Sequence, residues 1–248
     1  MTNYTTGADA LSALNRTDDA GSGAEFASFK SGTSYFVKVL GTADLISFFS
    51  YGIFGKVHSF VAETPSKKSA KGYPIDALTV WDKAWKYHKD LSKDFNDAHG
   101  QEAGKYRAKE RFAMGFFDLS TGEPIIVDVS KNQAQAIHGI ITKNEKRLDK
   151  MVFELSKQGA STSTTVSLSP VMYPDEDLTD VQRANIAKAP EAFDMALFNG
   201  LLFEADEQQQ IDNLVQAGFD ISLIGLTKTA ATETPVDNTK VDIDDLPF

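Results

Sequence analysis

The segment Arg111-Phe-Ala-Met-Gly-Phe-Phe-Asp-Leu-Ser-Thr-Gly-Glu-Pro-Ile-Ile-Val-Asp-Val129 decides the fold class. Residues 111–118 are mostly aromatic and apolar, a composition that favours a β-strand. The run 119–124 contains Ser, Thr, Gly and Pro, which are the residues of tight turns. Residues 125–129 are rich in β-branched side chains again, so the whole segment predicts a β-hairpin.

The chain after the hairpin predicts a helix followed by two more strands. Ser130-x-x-Gln133 has the pattern of a capping box, the sequence signature of a helix N-terminus. A stripe of isoleucines continues the helix, and we expect it to end near Asn144. Residues 151–156 and 164–169 then predict two strands joined by a polar connection.

The chain before the hairpin is also rich in β-forming residues. Tyr35–Leu40 predicts one strand, and Leu45–Val61 predicts one long β segment in which Gly52 and Gly55 allow a bulge. Because side chains alternate along a strand, the odd positions predict a core face and the even positions predict a surface face. The predicted core face comprises Leu45, Phe49, Tyr51, Ile53, Val57 and Val61, and the predicted surface face comprises Phe48, Phe54, Lys56, His58 and Phe60.

An insertion separates these strands from the hairpin. Residues 62–110 begin with a polar, basic loop over 64–74 that has no packing pattern. Residues 75–98 then predict a helix that carries both tryptophans of the chain. The insertion is therefore basic and aromatic together, which is unusual for a plain solvated loop.

Together these elements predict a mainly β fold with helices: a five-stranded barrel of the OB type, with the long insertion after its second strand. A helix between the third and fourth strands is the order of that fold. Pro190 and Asp206 predict the starts of two C-terminal helices, and Gly218 predicts the end of the second. The expected organisation is an N-terminal arm (1–34), an OB domain (35–170) with its insertion (62–110), a helical extension (171–226) and a disordered linker with an acidic tail (227–248).

Charge is distributed unevenly along the 248 residues, whose net charge is −10. Residues 35–111 hold 13 Lys and Arg against 9 Asp and Glu, whereas residues 172–248 hold 4 against 16. A basic body with an acidic trailing segment is typical of nucleic-acid contact by one part of a chain. The first residues lack the pattern of a secretory signal, and no apolar run reaches the roughly 18 residues of a membrane span, so we expect a cytoplasmic protein without a membrane partner.

The chain ends on a short acidic peptide with an apolar tip, which comprises Asp242, Ile243, Asp244, Asp245, Leu246, Pro247 and Phe248. Pro247 disfavours helix, so the peptide is expected to be extended and available to a basic groove with an apolar pocket. This ending resembles the C-terminal tip of bacterial and phage single-stranded-DNA-binding proteins. The resemblance implies that all seven residues bind partners and recruit replication and repair proteins, such as a polymerase, a helicase or primase, or a recombinase.

Residues 35–170 extend this resemblance. A basic, aromatic insertion followed by the hairpin Phe116–Pro124 looks like phage members of the family, including the helix-destabilising protein of T-even phages. The resemblance implies a protein that coats and protects single-stranded DNA during replication, recombination and repair in the host cytoplasm, with self-association on DNA. The T-even protein carries a zinc site built from Cys and His. This chain has no Cys and four scattered His, so we expect no metal and no cofactor.

Single strands are bound without sequence preference by aromatic rings that stack on bases and by a basic groove that follows the phosphates. For each aromatic residue the alternative is ordinary packing, and Trp81 and Trp85, four residues apart, could simply anchor the insertion. The predicted DNA-binding residues are Lys38, Phe48, Phe54, Lys56, His58, Phe60, Lys67, Lys68, Lys71, Tyr73, Trp81, Trp85, Lys86, Tyr87, Lys105, Tyr106, Arg107, Lys109, Arg111 and Phe112.

Enzymatic function has little support in the sequence. No phosphate-binding loop of the Walker type and no Gly-x-Ser-x-Gly elbow occurs, and we expect no catalytic residues. Three alternatives stay open: a strand-annealing or recombination mediator, a metal-dependent nuclease using Asp118 and Asp128, and a structural phage protein whose helical stripes mediate assembly.

Overall fold

The computed structural model describes residues 25–160 and 163–227. The strands are β1 (Ser34–Lys38), β2 (Leu45–Ile53), β3 (Val57–Ala62), β4 (Lys67–Lys68), β5 (Pro74–Asp76), β6 (Lys109–Asp118), β7 (Glu123–Ser130), β8 (Phe153–Gln158), β9 (Thr165–Pro170) and β10 (Glu204–Ala205). The α-helices are α1 (Val80–Leu91), α2 (Ala98–Tyr106), α3 (Lys131–Lys143), α4 (Pro174–Asp177), α5 (Asp180–Ile186) and α6 (Glu207–Ala217), and 3₁₀ turns span Glu145–Lys150, Met195–Phe198 and Ile221–Ile224.

Some predictions from the sequence concern residues outside these ranges. Residues 1–24 of the predicted arm and the predicted linker from residue 228 lie outside the described residues. The same holds for the whole predicted partner-binding tip, which comprises Asp242, Ile243, Asp244, Asp245, Leu246, Pro247 and Phe248. The predicted role of the tip therefore stays a prediction from the sequence.

Strand β6 organises a mixed sheet of eight strands in the order β10-β3-β2-β6-β1-β8-β9, with β7 on the other edge of β6. The predicted hairpin is confirmed, because β6 and β7 pair from Arg111 opposite Ser130 to Asp118 opposite Glu123. The remaining edge of β6 is shared: β2 pairs with its first half and β1 with its end. One long strand therefore joins both halves of the protein.

The predicted five-stranded closed barrel is not found. Within the described residues β7 and β9 do not pair, and the sheet stays open. Helix α3 packs against both strands, and its Ile137 and Ile141 are buried in the core. The helix thus fills the space between the two strands, and the observed architecture is mixed α/β.

The prediction of a single β segment over Leu45–Val61 is wrong, because this segment forms the hairpin β2–β3. Gly55 supplies the turn with a φ of 73°, a left-handed conformation that glycine adopts readily. A bulge between Tyr51 and Ile53 shifts the alternation of side chains. Tyr51 and Phe60, predicted on opposite faces, are consequently both buried, and the insertion follows the third strand rather than the second.

The two largest of the four buried hydrophobic clusters in the described residues lie on different parts of the sheet. The first is formed by β1, β6–β9 and α3, with Phe116, Ile137 and Phe153 almost fully buried. The second lies between β2–β3 and the helices α1, α2 and α6, with Trp81 and Leu214 fully buried. The insertion therefore packs as a structured unit against the sheet rather than projecting as a loop.

The helix predicted over residues 75–98 is shorter in the structure. Helix α1 begins after Thr79, whose hydroxyl accepts a hydrogen bond from the backbone N–H of Asp82 at 3.1 Å. It ends at Leu91, because Ser92 has an extended backbone. Helical spacing in the sequence identified the element, but the capping residue and the break at Ser92 set its length.

The helix predicted from Pro190 is wrong, since only the 3₁₀ turn Met195–Phe198 forms there. Phe193 instead packs against strand β6 at Gly115, where a Cβ atom would lie 2.4 Å from the ring. Because Gly115 has no side chain, there is room at this position of β6 for the ring of Phe193.

Two other helix predictions are confirmed. The capping boxes at Ser130 and Asp206 both form at the starts of α3 and α6. Helix α3 has Asn144 as its C-cap, and α6 has Gly218 as its C-cap, with a left-handed φ of 92°. These short-range signals determine their elements because the capping bonds are local to each helix terminus.

The last part of the predicted N-terminal arm packs on the sheet. Phe29 is buried in the first core, and the backbone N–H of Ala27 donates to the Ile126 carbonyl at 2.8 Å. The residues around Phe29 therefore belong to the folded body. Among the helices within residues 25–160 and 163–227, none combines the length and apolar character needed to cross a membrane.

Candidate nucleic-acid interface

A cavity of about 570 Å³ lies between the insertion and the sheet, and we call it the groove. One wall comes from the β4–β5 turn, α1 and α2, and the other from the start of β6 and the start of α3. Its aromatic lining consists of Phe49, Tyr73, Trp85 and Phe95, and its cationic lining consists of Lys71, Lys89, Arg107, Lys109 and Lys131.

Helix α1 separates a core face from a groove face. Val80, Trp81 and Ala84 are buried, and the indole N–H of Trp81 donates to the backbone carbonyl of Gln210 at 3.0 Å. Trp85 is half-buried and lines the groove with Lys89, four residues further along the same helix face. The two tryptophans of the chain thus have different environments although they share one helix.

A stacked aromatic pair occupies the centre of the groove. The rings of Tyr73 and Trp85 lie with their centroids 5.9 Å apart and their planes 30° apart. The guanidinium of Arg107 lies 4.4 Å from the centroid of Tyr73, a cation–π contact. Arg107 Nε is buried without a hydrogen-bond partner, and no carboxylate among the described residues pairs with this guanidinium. A half-buried cation that lacks an anion suits a site for a bound phosphate.

The other groove cations are also largely unpaired. Within the described residues, Lys71, Lys89 and Lys109 form no ion pair, while Lys131 pairs with Glu110 at 2.9 Å. Glu110 is the one carboxylate among the described residues that line the cavity. The cavity therefore has an excess of positive charge that its own walls do not neutralise.

Three exposed cations outside the groove do have carboxylate partners. Lys67 pairs with Asp76 at 3.0 Å, Lys86 pairs with Asp90 at 2.7 Å, and Lys105 pairs with Glu102. Exposed pairs of this kind contribute at most about 1 kcal/mol and hold the side chains only weakly. All three cations were predicted to bind DNA, but the structure places them beside the groove rather than in its lining.

The structure distributes the predicted DNA-binding residues among several environments. Five of them line the groove, four lie around a separate cavity under the β2–β3 hairpin, and the others pack inside or on the surface. The groove residues are Lys71, Tyr73, Trp85, Arg107 and Lys109, and the residues around the second cavity are Phe54, Lys56, His58 and Arg111. The buried residues are Lys38, Phe60, Trp81 and Tyr106, and Lys68 is nearly buried. The side chains that are half-buried against the cores are Phe48, Tyr87 and Phe112.

Lys68 belongs to a buried network. Its Nζ lies 3.0 Å from the Asp82 carboxylate and 2.7 Å from Ser66 Oγ, and the side chains of Lys68 and Asp82 are 9% and 1% exposed. Tyr51 also contacts Lys68, and burial together with Asp82 strongly raises the pKa of this phenol. The network joins β4 to the first turn of α1 and so positions one wall of the groove, but Lys68 is not among the residues that line the groove.

Lys38 has a comparable structural role on β1. Its Nζ donates to the backbone carbonyls of Leu148 and Asp149, at 3.2 and 2.5 Å. Burial lowers the pKa of this amine. Lys38 therefore holds the 3₁₀ turn Glu145–Lys150 against β1 and does not line the groove.

Sequence reasoning missed four of the groove residues. Phe49 was assigned to the core by strand alternation, yet it lies at the boundary between the second core and the groove. Lys89 follows Trp85 at helical spacing, a signal that could have identified it. Phe95 is 67% exposed, and neither it nor Lys131 has a sequence pattern that predicts its position.

The two aspartates of the nuclease alternative do not form a site together. The buried Asp118 carboxylate accepts hydrogen bonds from the Ser120 N–H and the Thr121 hydroxyl, at 3.0 and 2.9 Å. Asp128 pairs with Arg111 at 2.8 Å and lies opposite Ala113, so about 16 Å of strand separates it from Asp118. A two-metal site needs ions roughly 4 Å apart. Within the part of the chain that the structure describes, no group of three His, Cys, Asp or Glu residues is arranged to hold a metal ion.

A pair of histidines joins α1 to α2 behind the groove. The Nδ1 atoms of His88 and His99 lie 3.0 Å apart, and the His88 ring stacks on Tyr106 with planes 7° apart. Burial is the main cause that lowers the pKa of His88, and His99 and Lys105 lower it further, while Glu102 raises it. Folding therefore favours the neutral form of His88.

We expect the protein to lose stability as the pH falls through about 6.5, the ordinary pKa of histidine. Because the pKa of His88 is depressed on folding, the unfolded chain binds its proton first, and protonation favours unfolding. His88→Phe keeps a ring on Tyr106 and should reduce the decrease in melting temperature between pH 7.5 and 5.5. The exposed His138→Gln variant is the control and should keep the full decrease. An unchanged pH dependence in His88→Phe would contradict this role.

Comparison of the sequence with protein-family models and with curated proteins finds no match. Function is therefore inferred from the geometry of the groove.

Proposed function

We propose that the protein binds single-stranded DNA without sequence preference, through the groove. The observation that carries this proposal is the stacked pair Tyr73–Trp85 beside Arg107, a half-buried cation that has no carboxylate partner among the described residues. Aromatic rings provide stacking surfaces for bases, and unpaired cations follow the phosphates, which is the combination that single-strand binding needs.

The groove favours a single strand over a duplex for a physical reason. Bases in a duplex are already stacked on each other, so their faces are hidden from Tyr73, Trp85 and Phe95. Each base that stacks on a ring contributes roughly 1–3 kcal/mol, and every base has a face that can stack. The contact is therefore tolerant of sequence and selective for unpaired strands.

The order of elements supports a relation to the OB-fold within this proposal. Helix α3 precedes the strands β8–β9, as the helix of that fold precedes its last two strands, but five sheet strands rather than three come before it: β1 to β3 and the hairpin β6–β7, with α1 and α2 inserted between β3 and β6. We interpret the observed sheet as an open, elaborated form of an OB-type arrangement. In that interpretation the insertion provides the wall that closes the groove.

The proposed role is to coat and protect single-stranded DNA during replication, recombination and repair, as for a phage protein in the host cytoplasm. The acidic tip Asp242–Phe248 would recruit a polymerase, a helicase or primase, or a recombinase, and copies of the protein would associate on DNA. The sequence supports this part of the proposal, since the carboxylates of Asp242, Asp244 and Asp245 precede an apolar end at Leu246 and Phe248. An aromatic anchor in a pocket is the usual centre of such an interface.

Binding to single-stranded DNA should weaken with salt in proportion to the phosphates contacted, at about 0.7 per contact on a log–log plot. Contacts by the four unpaired groove cations would give a slope of roughly −2.8. Lys109→Ala should weaken all sequences alike and reduce the slope by about 0.7, whereas Lys86→Ala, which removes an ion-paired cation outside the groove, should do neither. The measurement is a titration with single-stranded and duplex oligonucleotides at several salt concentrations. Equal affinity for duplex DNA, or a flat salt response, would overturn the proposed function.

Removal of residues 242–248 should keep or raise the affinity for single-stranded DNA and abolish recruitment of a replication or repair partner. The acidic tip competes with DNA for the basic body, most strongly at low salt, where charges are screened least. Phe248→Ala should impair recruitment as severely as truncation, because carboxylates mainly steer and the ring fills the pocket. DNA titration and a pull-down with purified candidate enzymes measure both effects. Loss of DNA binding on truncation would show that the tip has a different role.

A further inference from the structure

A second cavity of about 570 Å³ lies under the β2–β3 hairpin. Phe54 stands at the tip of this hairpin with its side chain fully exposed to solvent. A fully exposed phenylalanine gains none of the stabilisation that burial of its ring would give, and no packing contact among the described residues accounts for its position. The cavity is lined by residues of the hairpin and by Lys109, Arg111 and Asp128 of the adjoining strands.

The hairpin tip has a defined position. The backbone N–H of Lys56 donates to the Ile53 carbonyl at 2.9 Å, which closes the turn. The side-chain amide of Gln216 on α6 donates to the Lys56 carbonyl at 2.7 Å. Val57, next in the chain, is buried in the second core. Phe54 is therefore held away from the body by an anchored turn.

Lys109 connects this cavity to the groove. It lines both cavities, and it forms no ion pair within the described residues. Lys56 and His58 add exposed basic groups on the hairpin side, while Arg111 is neutralised by Asp128. The two cavities thus adjoin at Lys109, and aromatic and basic groups line both, the stacked pair in the groove and Phe54 in the second cavity.

We infer that a single strand bound in the groove continues past Lys109 onto the β2–β3 hairpin, where a base stacks on Phe54. This second contact rests on the proposed function and adds to it a binding region at the second cavity. Short oligonucleotides occupy the groove alone, and only longer ones reach the hairpin. Phe54 therefore contributes to affinity as a function of strand length.

The test compares oligo-dT of about 4 and about 16 nucleotides, the range of site sizes of single-strand-binding modules. Phe54→Ala should weaken binding of the longer strand by roughly 5- to 150-fold, the loss expected when one stacking ring is removed. Binding of the shorter strand should stay within about twofold of the unmodified protein, because in this proposal the groove alone holds it. Phe54→Tyr should restore the affinity for the longer strand.

Two further variants make the outcome decisive. Tyr173→Ala removes another exposed aromatic side chain, outside both cavities, and should change neither affinity. Trp85→Ala should weaken both oligonucleotides, since it acts in the groove. If Phe54→Ala leaves the longer strand unaffected, or weakens both strands equally, the second contact is overturned while the groove proposal stands. If the unmodified protein binds neither oligonucleotide, the proposed function itself fails.

Discussion

Trp85→Ala is expected to weaken single-strand binding by roughly 5- to 150-fold, whereas Trp81→Ala should lower the free energy of unfolding by about 3–5 kcal/mol. The two residues lie one helical turn apart on α1. Trp85 is half-buried and stacks on Tyr73 in the groove, while Trp81 is fully buried and donates a hydrogen bond to Gln210. Removing Trp85 therefore removes a stacking surface, and removing Trp81 leaves a cavity and removes a buried hydrogen bond to the Gln210 carbonyl.

Phenylalanine variants separate the two roles by fluorescence. The chain has two tryptophans, so each variant leaves a single indole to report. Quenching on addition of oligo-dT should persist in Trp81→Phe and disappear in Trp85→Phe, which keeps a stacking ring and retains most of its affinity. Equal quenching in both variants would mean that Trp85 is not in contact with the bases. Denaturant unfolding of all four variants provides the matching stability measurement.

Asp82→Ala should cost about 3–5 kcal/mol of unfolding free energy, the usual effect of removing one partner of a buried ion pair. Lys68 would lose its carboxylate at a site where its side chain is 9% exposed, and desolvation would then oppose its charge. Ser66 and Tyr51 cannot replace a negative charge. Because this network connects β4 to α1, the loss should also disturb the nearby wall of the groove.

Two controls define this result. Asp90→Ala removes an exposed partner of Lys86 and should change stability by about 0.5 kcal/mol or less. The double variant Lys68→Met/Asp82→Leu replaces the pair by apolar groups of similar size and should recover most of the loss, since burying two matched apolar side chains avoids the desolvation of charges. Urea unfolding measures each variant. A small effect of Asp82→Ala would show that water reaches Lys68.

The elements predicted correctly from the sequence are those determined by local signals. The β6–β7 hairpin has its turn at residues 119–122, within the segment predicted from the sequence, and α3 and α6 have capping boxes whose bonds join residues three positions apart. The hairpin at Gly55 was missed because a glycine in a strand pattern is compatible with a bulge as well as a turn. Helical spacing after Pro190 was misleading because Phe193 packs on Gly115, a residue far away in the sequence.

The candidate site was predicted by composition but not residue by residue. Lysine and aromatic residues alternate throughout the insertion, and only tertiary contacts distinguish Lys71, which forms no ion pair within the described residues, from Lys68, which is neutralised by Asp82. Tertiary contacts likewise distinguish Trp81, which is buried, from Trp85, which lines the groove. Which tryptophan is buried depends on the orientation of α1 about its own axis against β2–β3, and the sequence of one helix in isolation does not determine that orientation.

The position of the groove between two cores has a mechanical consequence. Phe49, Trp85 and the α1–α2 wall belong to the second core, whereas β6 and α3 belong to the first, so a ligand in the groove contacts two separately packed bodies. Such a ligand links the two bodies while it is bound, and any motion that separates the two bodies must first break the ligand's contacts with one of them. By mass action the apparent stability of both bodies then rises with the logarithm of ligand concentration. In a protein that coats a long strand, each bound copy would therefore resist separation of its two bodies while it holds the strand. It would lose this additional stability when the strand dissociates.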